Sequence, residues 1–499
     1  MKRIFLKVIV FVFIPFFALS CDPDNQKDEK EEISYEEKAR RKTHEATLKY
    51  LRDDIMKNYY YWYDQVPNKT YTWQTDIYDY FDALLVKQDR WSWMMDGKTY
   101  MDSETGVLSG TYGVALGQPK DHYRDYGVYI RFVYPGGPFD LAGVKRGWEI
   151  TAIDKEKTED YLSTDAQGFN DLFNYPSTTR AHTFTFRDPE GNTHTETIIA
   201  AESLNTRPGL VKKIFTADDY PGLSAPVGYF HYLSFKADND VSGKSMLEDI
   251  TEAMDYFKNN NVKTLILDLR YNGGGDSRAS DLLVSYLAPA SAVGQVYVKR
   301  THNKKLSSYD AETKVKTPAK AIEALEGDDV SLACKPDSPE FEHLYFITGA
   351  GSASASEMTL NGLKPLANLQ HVGSVTYGKP NGMYVFLYPE HMAAYDKNDY
   401  SGLKYVFLPI CFYNANGIGQ NIPDTGLVPD NKRPDDLYHD FGVTEDNIAA
   451  CLYHIVNGTY PDLPEAKPQT RAAGGIDAHL NEYENNKNYG LYTVKPDFF

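Results

Sequence analysis

Two turns rich in small residues carry the side chains whose types and spacing could do chemistry. The first follows the apolar run Thr264–Leu269 and contains Gly273, Gly274 and Gly275. A glycine turn between a strand and a helix can point backbone N–H groups into open space, where they bind an anion. A phosphate loop would need Gly-Lys-Ser/Thr directly after these glycines, where this chain has Asp276, Ser277 and Arg278. The same geometry without the lysine suits an oxyanion hole.

The second turn, Thr348–Met358, contains three serines between a predicted strand, Leu344–Thr348, and a predicted helix. The dipole of a helix stabilises negative charge that develops near its N-terminus. Serine is also a favoured helix cap, and capping is compatible with catalysis. A nucleophilic serine needs a base. No histidine lies in a recognisable nucleophile motif, so Lys379, between two glycines, is the better candidate for that base.

The chemistry places a strict requirement on Lys379. An ordinary lysine has a pKa of about 10.4 and carries its proton at neutral pH, so it cannot accept another. Burial disfavours the charged form and can lower the pKa by several units. The motif Tyr377–Gly382 offers no adjacent carboxylate that would oppose this effect. The alternative interpretation of Lys379 is an exposed lysine of a turn.

The segment that carries both turns alternates predicted strands and helices from about residue 206 to 460. Such alternation indicates crossover units and an α/β core. The predicted strands are Val227–Leu233, Thr264–Leu269, Leu344–Thr348 and His371–Val375, and the predicted helices contain Leu247 to Phe257 and Ala279–Leu287. After Pro461 the composition becomes polar, which predicts a peripheral tail over residues 461–499.

The N-terminal segments have three different compositions. Residues 1–21 join a basic start to a short uncharged stretch, which fits a signal peptide, and Ala18–Cys21 resembles a bacterial lipobox with Cys21 as the lipidated residue. Residues 22–41 are charged or polar and predict a flexible tether. Residues 42–108 predict a helical domain with helices over His44–Tyr61 and Ile77–Val86. Its apolar patch Trp91–Met95 predicts a small helical core or, alternatively, a substrate-binding face.

Residues 109–203 predict a small β-rich domain. Strands are expected over Tyr112–Gly117 and Val128–Val133, and Pro135–Asp154 predicts a turn, a short helix and another strand. This run resembles a PDZ domain of the bacterial protease type, although Trp148 replaces the usual Asp. PDZ domains bind a peptide as an added strand and hold its terminal carboxylate. The resemblance implies that the carboxylate loop is Tyr112, Gly113, Val114, Ala115 and Leu116.

The overall composition excludes several function classes. A formal net charge of −18 makes nucleic acid an unexpected partner, because an acidic surface repels phosphate backbones. The histidines form no HExxH, and Cys334, Cys411 and Cys451 form no CxxC. The sequence therefore predicts no metal and no cofactor, and it leaves open whether one disulfide forms among these three cysteines.

In combination, the motifs resemble the tail-specific, or C-terminal processing, peptidases, which are S41-type serine proteases. The matching runs are Asp268–Gly275, Ser352–Glu357, Gly378–Lys379 and Gly426–Asp430, and the resemblance covers about residues 42 to 460. It implies a multidomain α/β protein in which an N-terminal helical region and a β-rich PDZ-like domain precede a crotonase-like ββα protease core over residues 206–460.

The resemblance also assigns roles to residues of both turns. It implies that Ser354 is the nucleophile and Lys379 the general base, with Gly274 and the N–H of Ala355 as oxyanion donors. Glu357 would support them. Many members carry Gln four residues after the lysine, where this chain has Met383, and Asn381 is a possible substitute.

The resulting prediction is a serine endopeptidase that uses a Ser–Lys dyad on polypeptides selected by their C-termini. Cys21 would anchor it in the cell envelope, facing the periplasm or the surface. The alternative is a catalytically silent, lipid-anchored protein that captures peptides through its PDZ-like domain. A carboxylesterase is less favoured, because no GxSxG elbow occurs.

Overall fold

The chain forms an N-terminal region, a middle domain and an α/β core. The computed structural model describes residues 33–119, 127–327, 330–389, 402–463 and 493–494. The predicted signal peptide, Cys21 and most of the predicted tail lie outside these residues. None of the helices in the described part is long and apolar enough to cross a membrane.

The N-terminal region is helical, as predicted. Its helices are α1 (Tyr35–Lys49), which continues as a π-helical segment over Tyr50–Met56, α2 (Ile77–Leu84) and α3 (Gly97–Glu104). Helix α1 begins inside the range predicted as a tether. A cap and two ion pairs stabilise the start of this helix. The Ser34 hydroxyl accepts the N–H of Glu37, and the Glu37 carboxylate pairs with Arg40 and Arg41 on the next turn.

The apolar patch at Trp91–Met95 packs into the same core as the N-terminal helices, and its second half forms a strand. Strand β1 (Trp93–Asp96) buries Trp93 and Met95, while Met94 between them is half-buried. That alternation has the period of two of a strand, which a short apolar run does not reveal. The patch is buried with the N-terminal helices, as predicted, and the sequence did not indicate that part of it forms a strand.

The middle domain is β-rich and has its own aromatic core, which includes Phe139, Phe169, Phe184 and Phe186. A ribbon of β2 (Val107–Thr111) and β9 (Ala201–Asn205) marks where the chain enters and leaves it. Its main sheet has the order β3-β4-β5-β7-β8, with β6 beside β5. The elements are β3 (Val114–Gly117), β4 (Val128–Val133), α4 (Pro138–Leu141), β5 (Glu149–Ile153), β6 (Glu156–Lys157), α5 (Thr158–Asn174), β7 (His182–Arg187) and β8 (Thr193–Ile198).

The α/β core is built on a sheet with the order β10-β11-β12-β15-β16-β21. Its strands are β10 (Gly209–Phe215), β11 (Val227–Tyr232), β12 (Thr264–Asp268), β15 (His343–Thr348), β16 (Leu369–Gly373) and β21 (Asn431–Lys432). The helices are α6 (Glu248–Asn259), α7 (Ser277–Leu287), α8 (Pro318–Gly327), α9 (Ala355–Leu363) and α10 (Asp446–Asn457).

Two smaller sheets complete the core. One has the order β14-β13-β20-β17-β22, and the other joins β1 to β19 and β18. Their strands are β13 (Val296–His302), β14 (Ala311–Lys314), β17 (Asn381–Tyr384), β18 (Phe386–Pro389), β19 (Leu403–Leu408), β20 (Ile410–Asn416) and β22 (Thr493–Val494). Pairing of β1 with β19 attaches the N-terminal region to the core. Cys334, Cys411 and Cys451 are all free thiols.

The topology of the main sheet brings the chemical turns together. Strands β12, β15 and β16 are parallel neighbours. The glycine turn follows β12, the serine turn follows β15, and the Lys379 loop follows β16. Because the carboxyl ends of parallel strands share one edge of a sheet, the three segments meet there, where ligand sites form in open α/β sheets.

Candidate active site

The serine turn leaves one hydroxyl available. The Ser352 hydroxyl donates to the Leu269 carbonyl at 2.7 Å, and the Ser356 hydroxyl donates to the Asn272 carbonyl at 2.9 Å. The Ser354 hydroxyl is buried and has no hydrogen-bond partner among the described residues. Two serines are therefore committed to holding the turn against the glycine turn, and Ser354 alone keeps a hydroxyl for chemistry.

The backbone of Ser354 is strained. Its φ is +55° and its ψ is −111°, directly before the first residue of α9. A residue with a side chain rarely adopts such a positive φ, and strain of this kind clusters at functional sites. The conformation places Ser354 at the N-terminus of α9, where the helix dipole favours negative charge.

Lys379 is buried rather than exposed, with 1% of its surface accessible. Burial lowers the pKa of Lys379 from its ordinary value to about 7, and the negative charges of Asp89 and Glu357 oppose part of that fall. Its amine donates to the Met383 sulfur at 3.7 Å. A lysine with a pKa near 7 is partly neutral at physiological pH and can act as a base.

One buried carboxylate ties the serine turn to the lysine loop. Oε2 of Glu357 accepts the N–H of Ser354 at 2.9 Å and the N–H of Lys379 at 2.8 Å. Its Oε1 accepts the N–H of Gly378 at 2.7 Å and the Thr376 hydroxyl at 2.5 Å. Burial raises the pKa of the Glu357 carboxyl, and the four hydrogen bonds oppose that rise. Glu357, predicted as a supporting residue, thus fixes both backbones.

The glycine turn packs directly against Ser354. A Cβ on Gly274, whose φ is +105°, would lie 2.8 Å from the Ala353 carbonyl oxygen and 2.9 Å from both Ser354 Cβ and Ala355 N. Only glycine fits there. The Gly274 N–H, a predicted oxyanion donor, donates instead to Asn272 Oδ1 at 2.8 Å. The Ala355 N–H, at the start of α9, belongs to the first turn, where N–H groups lack intrahelical acceptors.

The two residues considered for the third catalytic position differ in their surroundings. Met383 contacts the lysine amine through its thioether, which is a weak acceptor. Asn381 is buried, and its amide nitrogen and oxygen both lack a hydrogen-bond partner of normal geometry among the described residues. The role of Asn381 as a substitute for the expected glutamine stays a prediction.

The motif Asp268–Arg270 has a structural role behind the glycine turn. The Arg270 side chain is buried and donates to Asp268, Asp435 and Glu445. Its partners place the end of β12 against the segment that leads into α10. From the middle domain, the buried Arg146 side chain donates to the Tyr271 hydroxyl at 2.8 Å.

The segment predicted to bind a carboxylate contains an edge strand. Among the described residues, β3 pairs only with β4, so one edge of β3 can accept an added strand. Tyr112 is buried, and Gly113 adopts a φ of +67°. The Gly113 N–H donates to the Thr111 hydroxyl at 3.0 Å, so this part of the predicted carboxylate loop is occupied.

A cavity of 410 Å³ opens on the other side of the glycine turn. Its walls come from the N-terminal region, the middle domain and the core, and they include strand β2, Tyr134, Phe235 and Gly273–Gly275. Ser354 and Lys379, both buried, are not part of its lining. Sequence reasoning did not locate this cavity, because its walls are far apart in the sequence.

Comparisons with known proteins agree with this architecture. Residues 226–430 match the family model of peptidase family S41, and residues 53–93 match the peptidase S41 N-terminal domain. The chloroplastic carboxyl-terminal-processing peptidase 2 of Arabidopsis thaliana is 24% identical over 360 residues, which cover 71% of this chain. The chain spans 60% of the length of that relative.

A solved structure also shares the fold. A crystal structure of a Bacteroides fragilis protein assigned to the S41 proteases superimposes with a TM-score of 0.61 at 20% identity. The match covers 82% of this chain and 97% of the other. At this identity the likeness shows the fold, and it confirms the predicted multidomain α/β class.

Proposed function

We propose that this chain, which carries a serine-type peptidase domain of family S41, is an endopeptidase that uses Ser354 as its nucleophile and Lys379 as its general base. One observation carries the proposal. Glu357 holds the backbone of both residues through a single carboxylate oxygen, while the Ser354 hydroxyl has no hydrogen-bond partner in the part of the chain that the structure describes.

In the proposed reaction, neutral Lys379 accepts the Ser354 proton as the hydroxyl oxygen attacks the peptide carbonyl. The protonated amine then gives the proton to the leaving amine, and water releases the acyl group by the same route. The N–H of Ala355 stabilises the developing oxyanion. The N–H of Gly274 becomes a second donor when it leaves Asn272 Oδ1 and binds the oxyanion of the substrate.

The test is cleavage of an unfolded polypeptide by the purified chain and its variants. Ser354→Ala and Lys379→Ala should each lower kcat by at least about a thousandfold, and the double variant should be no worse, because the pair acts as a unit. Ser356→Ala is the matched control, since Ser356 is similarly buried in the same turn and its hydroxyl donates to the Asn272 carbonyl. It should keep most activity at a cost of about 1–2 kcal/mol in the free energy of unfolding.

A second candidate function is peptide capture without hydrolysis. It is favoured by the occupied Gly274 N–H and by Met383, a weak acceptor for the lysine amine. Under this alternative the wild type and Ser354→Ala would be equally inactive while both bind peptide. Full activity in Lys379→Ala would instead rule out the Ser–Lys assignment.

We also propose that the middle domain is PDZ-like and selects substrates by their C-termini. The support is the edge strand β3, to which a peptide can add as an antiparallel strand, beside the glycine at position 113. Polypeptides are therefore the proposed substrates, and a free terminal carboxylate is the proposed recognition element.

The proposed location is the cell envelope, with a lipid on Cys21 as the membrane anchor. The support is the lipobox-like run that ends at Cys21, which precedes a charged segment. A Cys21→Ala variant should leave the membrane fraction after a high-salt wash. Its retention there would contradict the anchor.

A further inference from the structure

The loop that carries Lys379 is held on its outer side by the N-terminal region. Nη2 of Arg90 donates to the carbonyl of Gly378, the residue before the lysine, at 3.0 Å, and to the Asp424 carbonyl at 2.5 Å. The guanidinium also lies 4.9 Å from the ring centre of Trp91 and 5.5 Å from that of Tyr377. Arg90 thus joins two chain segments that meet beside the lysine.

The two segments already lie in close contact with each other. A Cβ on Gly378 would lie 2.2 Å from the Asp424 carbonyl oxygen, and a Cβ on Gly426 would lie 2.0 Å from the Thr376 carbonyl oxygen. The two carbonyls that Arg90 binds are therefore close together. A guanidinium with several N–H groups in one plane suits such a pair.

The turn that presents Arg90 is itself rigid. The Asp89 carboxylate accepts the N–H groups of Trp91 and Ser92, both at 2.9 Å, and the Tyr60 hydroxyl at 2.7 Å. The Ser92 hydroxyl accepts the N–H of Ile410 at 2.8 Å. Although the Arg90 side chain is exposed, its turn is tied to Tyr60 on one side and to Ile410 of the core on the other.

The loop therefore has an inner and an outer anchor. On the inside, Glu357 binds the N–H groups of Gly378 and Lys379. On the outside, Arg90 binds the Gly378 carbonyl. Both faces of one peptide segment are fixed, which limits how far the lysine side chain can move out of its buried site.

We propose that the turn Asp89–Ser92 belongs to the catalytic apparatus, with Arg90 as a positioning residue that holds the Lys379 loop in place. This inference rests on the proposed function of Lys379 as a base. It gives the N-terminal region a direct part in catalysis, beyond its packing against the core.

The charges around the lysine predict opposite effects for two neighbouring substitutions. Asp89 and Glu357 both favour the charged form of the lysine. Arg90 binds the loop through the carbonyl of Gly378. Arg90→Gln should loosen the loop and expose the amine to water, which raises the pKa of Lys379. Asp89→Asn keeps most of the hydrogen-bonding shape but removes a negative charge, which lowers that pKa.

The experiment measures kcat, KM and the pH profile of kcat/KM for cleavage of an unfolded polypeptide. Activity rises with pH as the lysine loses its proton, so the midpoint reports its pKa in the free enzyme. Arg90→Gln should lower kcat about tenfold with KM changed less than about twofold, and raise the midpoint by about half to one pH unit. Asp89→Asn should lower the midpoint, and Arg90→Lys should recover part of the lost kcat.

Arg52→Gln is the matched control. Arg52 lies in the same region, pairs with Asp53 and lies 5.0 Å from the Tyr71 ring centre, without a contact to the Lys379 loop. It should behave as wild type. Both glutamine variants should unfold within about 3 °C of each other, because both residues act near the surface.

The outcomes separate this inference from the function on which it rests. If Arg90→Gln keeps the wild-type kcat and midpoint while Ser354→Ala is inactive, the positioning role is wrong and the Ser–Lys assignment stands. Global unfolding of Arg90→Gln would also contradict a local role. If the wild type cleaves nothing, both proposals fall together.

Discussion

At the scale of single residues, the proposed chemistry depends on how far the pKa of Lys379 is lowered. Burial lowers its pKa to about 7 even though two carboxylates act in the opposite direction. One partner of its amine, the Met383 sulfur, is a weak acceptor and does little to stabilise the charged form. A thioether at this position therefore favours a neutral base near pH 7.

Replacing Met383 by glutamine should show the cost of a stronger acceptor. An amide oxygen beside the amine stabilises the ammonium form, so the pKa of Lys379 rises. Because the proposed mechanism needs the neutral amine, the midpoint of kcat/KM should move up by about half to one pH unit, and activity at pH 7 should fall. At pH 9 the rate should equal or exceed that of wild type, because the amide also orients the amine.

Met383→Leu provides the control for the glutamine variant. It keeps the apolar volume and removes the sulfur, so its midpoint should stay at or slightly below that of wild type. A midpoint in Met383→Gln that does not differ from that of Met383→Leu would show that residue 383 does not act on the base.

The central residues of the site follow from the sequence, while several of their partners do not. Ser354, Lys379 and Glu357 lie in short motifs whose chemistry is local. Arg90 and Asn272 act on atoms of other segments through contacts that only the fold creates. The Asn272 amide, for example, donates to the Tyr232 carbonyl of strand β11 at 2.7 Å.

At the scale of elements, the site is a meeting of three turns at one edge of the sheet. The apolar run of β12 predicted a buried strand correctly, since parallel strands covered on both faces are continuously apolar. The strand within the patch Trp91–Met95 was not predicted, because its partner β19 is more than three hundred residues away. Elements whose burial depends on distant strands are the ones that local patterns predict poorly.

Close contact between the glycine turn and the serine turn predicts the effect of Gly274→Ala. The new Cβ would collide with the Ala353 carbonyl and with Ser354, so the serine turn must shift. We expect kcat to fall more than about tenfold, because small displacements of a nucleophile are costly. The free energy of unfolding should also fall by about 1–3 kcal/mol, since φ at this position is positive.

Gly191→Ala separates strain from displacement. Gly191 has a φ of +90°, and a Cβ there would meet no atom within 4 Å. The free energy of unfolding of Gly191→Ala should fall by a similar amount, with no change in kcat. If Gly274→Ala were as active as Gly191→Ala, the glycine turn would have no bearing on the position of Ser354.

At the scale of the whole molecule, the middle domain is joined firmly to the core. Arg146 belongs to the middle domain, and its buried side chain donates to the Tyr271 hydroxyl and to the carbonyl of His439 in the core. Tyr271 stands three residues before Gly274 and has a positive φ of +66°. A peptide bound at β3 would therefore be held by a domain whose arginine contacts the strand end that leads to the glycine turn.

A comparison of substrates with free and amidated C-termini tests whether this domain selects them. Amidation removes the terminal charge without changing the length, so it should raise KM while changing kcat less. Thr111→Val sharpens the test, because the Thr111 hydroxyl occupies the Gly113 N–H. Without that acceptor the N–H is open to a carboxylate, and the variant should bind the free substrate more tightly and the amidated one unchanged. The expected gain is modest, since a short peptide must be ordered on binding. Equal cleavage of both substrates across a concentration series, in wild type and variant alike, would make the middle domain a structural spacer and leave unfoldedness as the basis of selection.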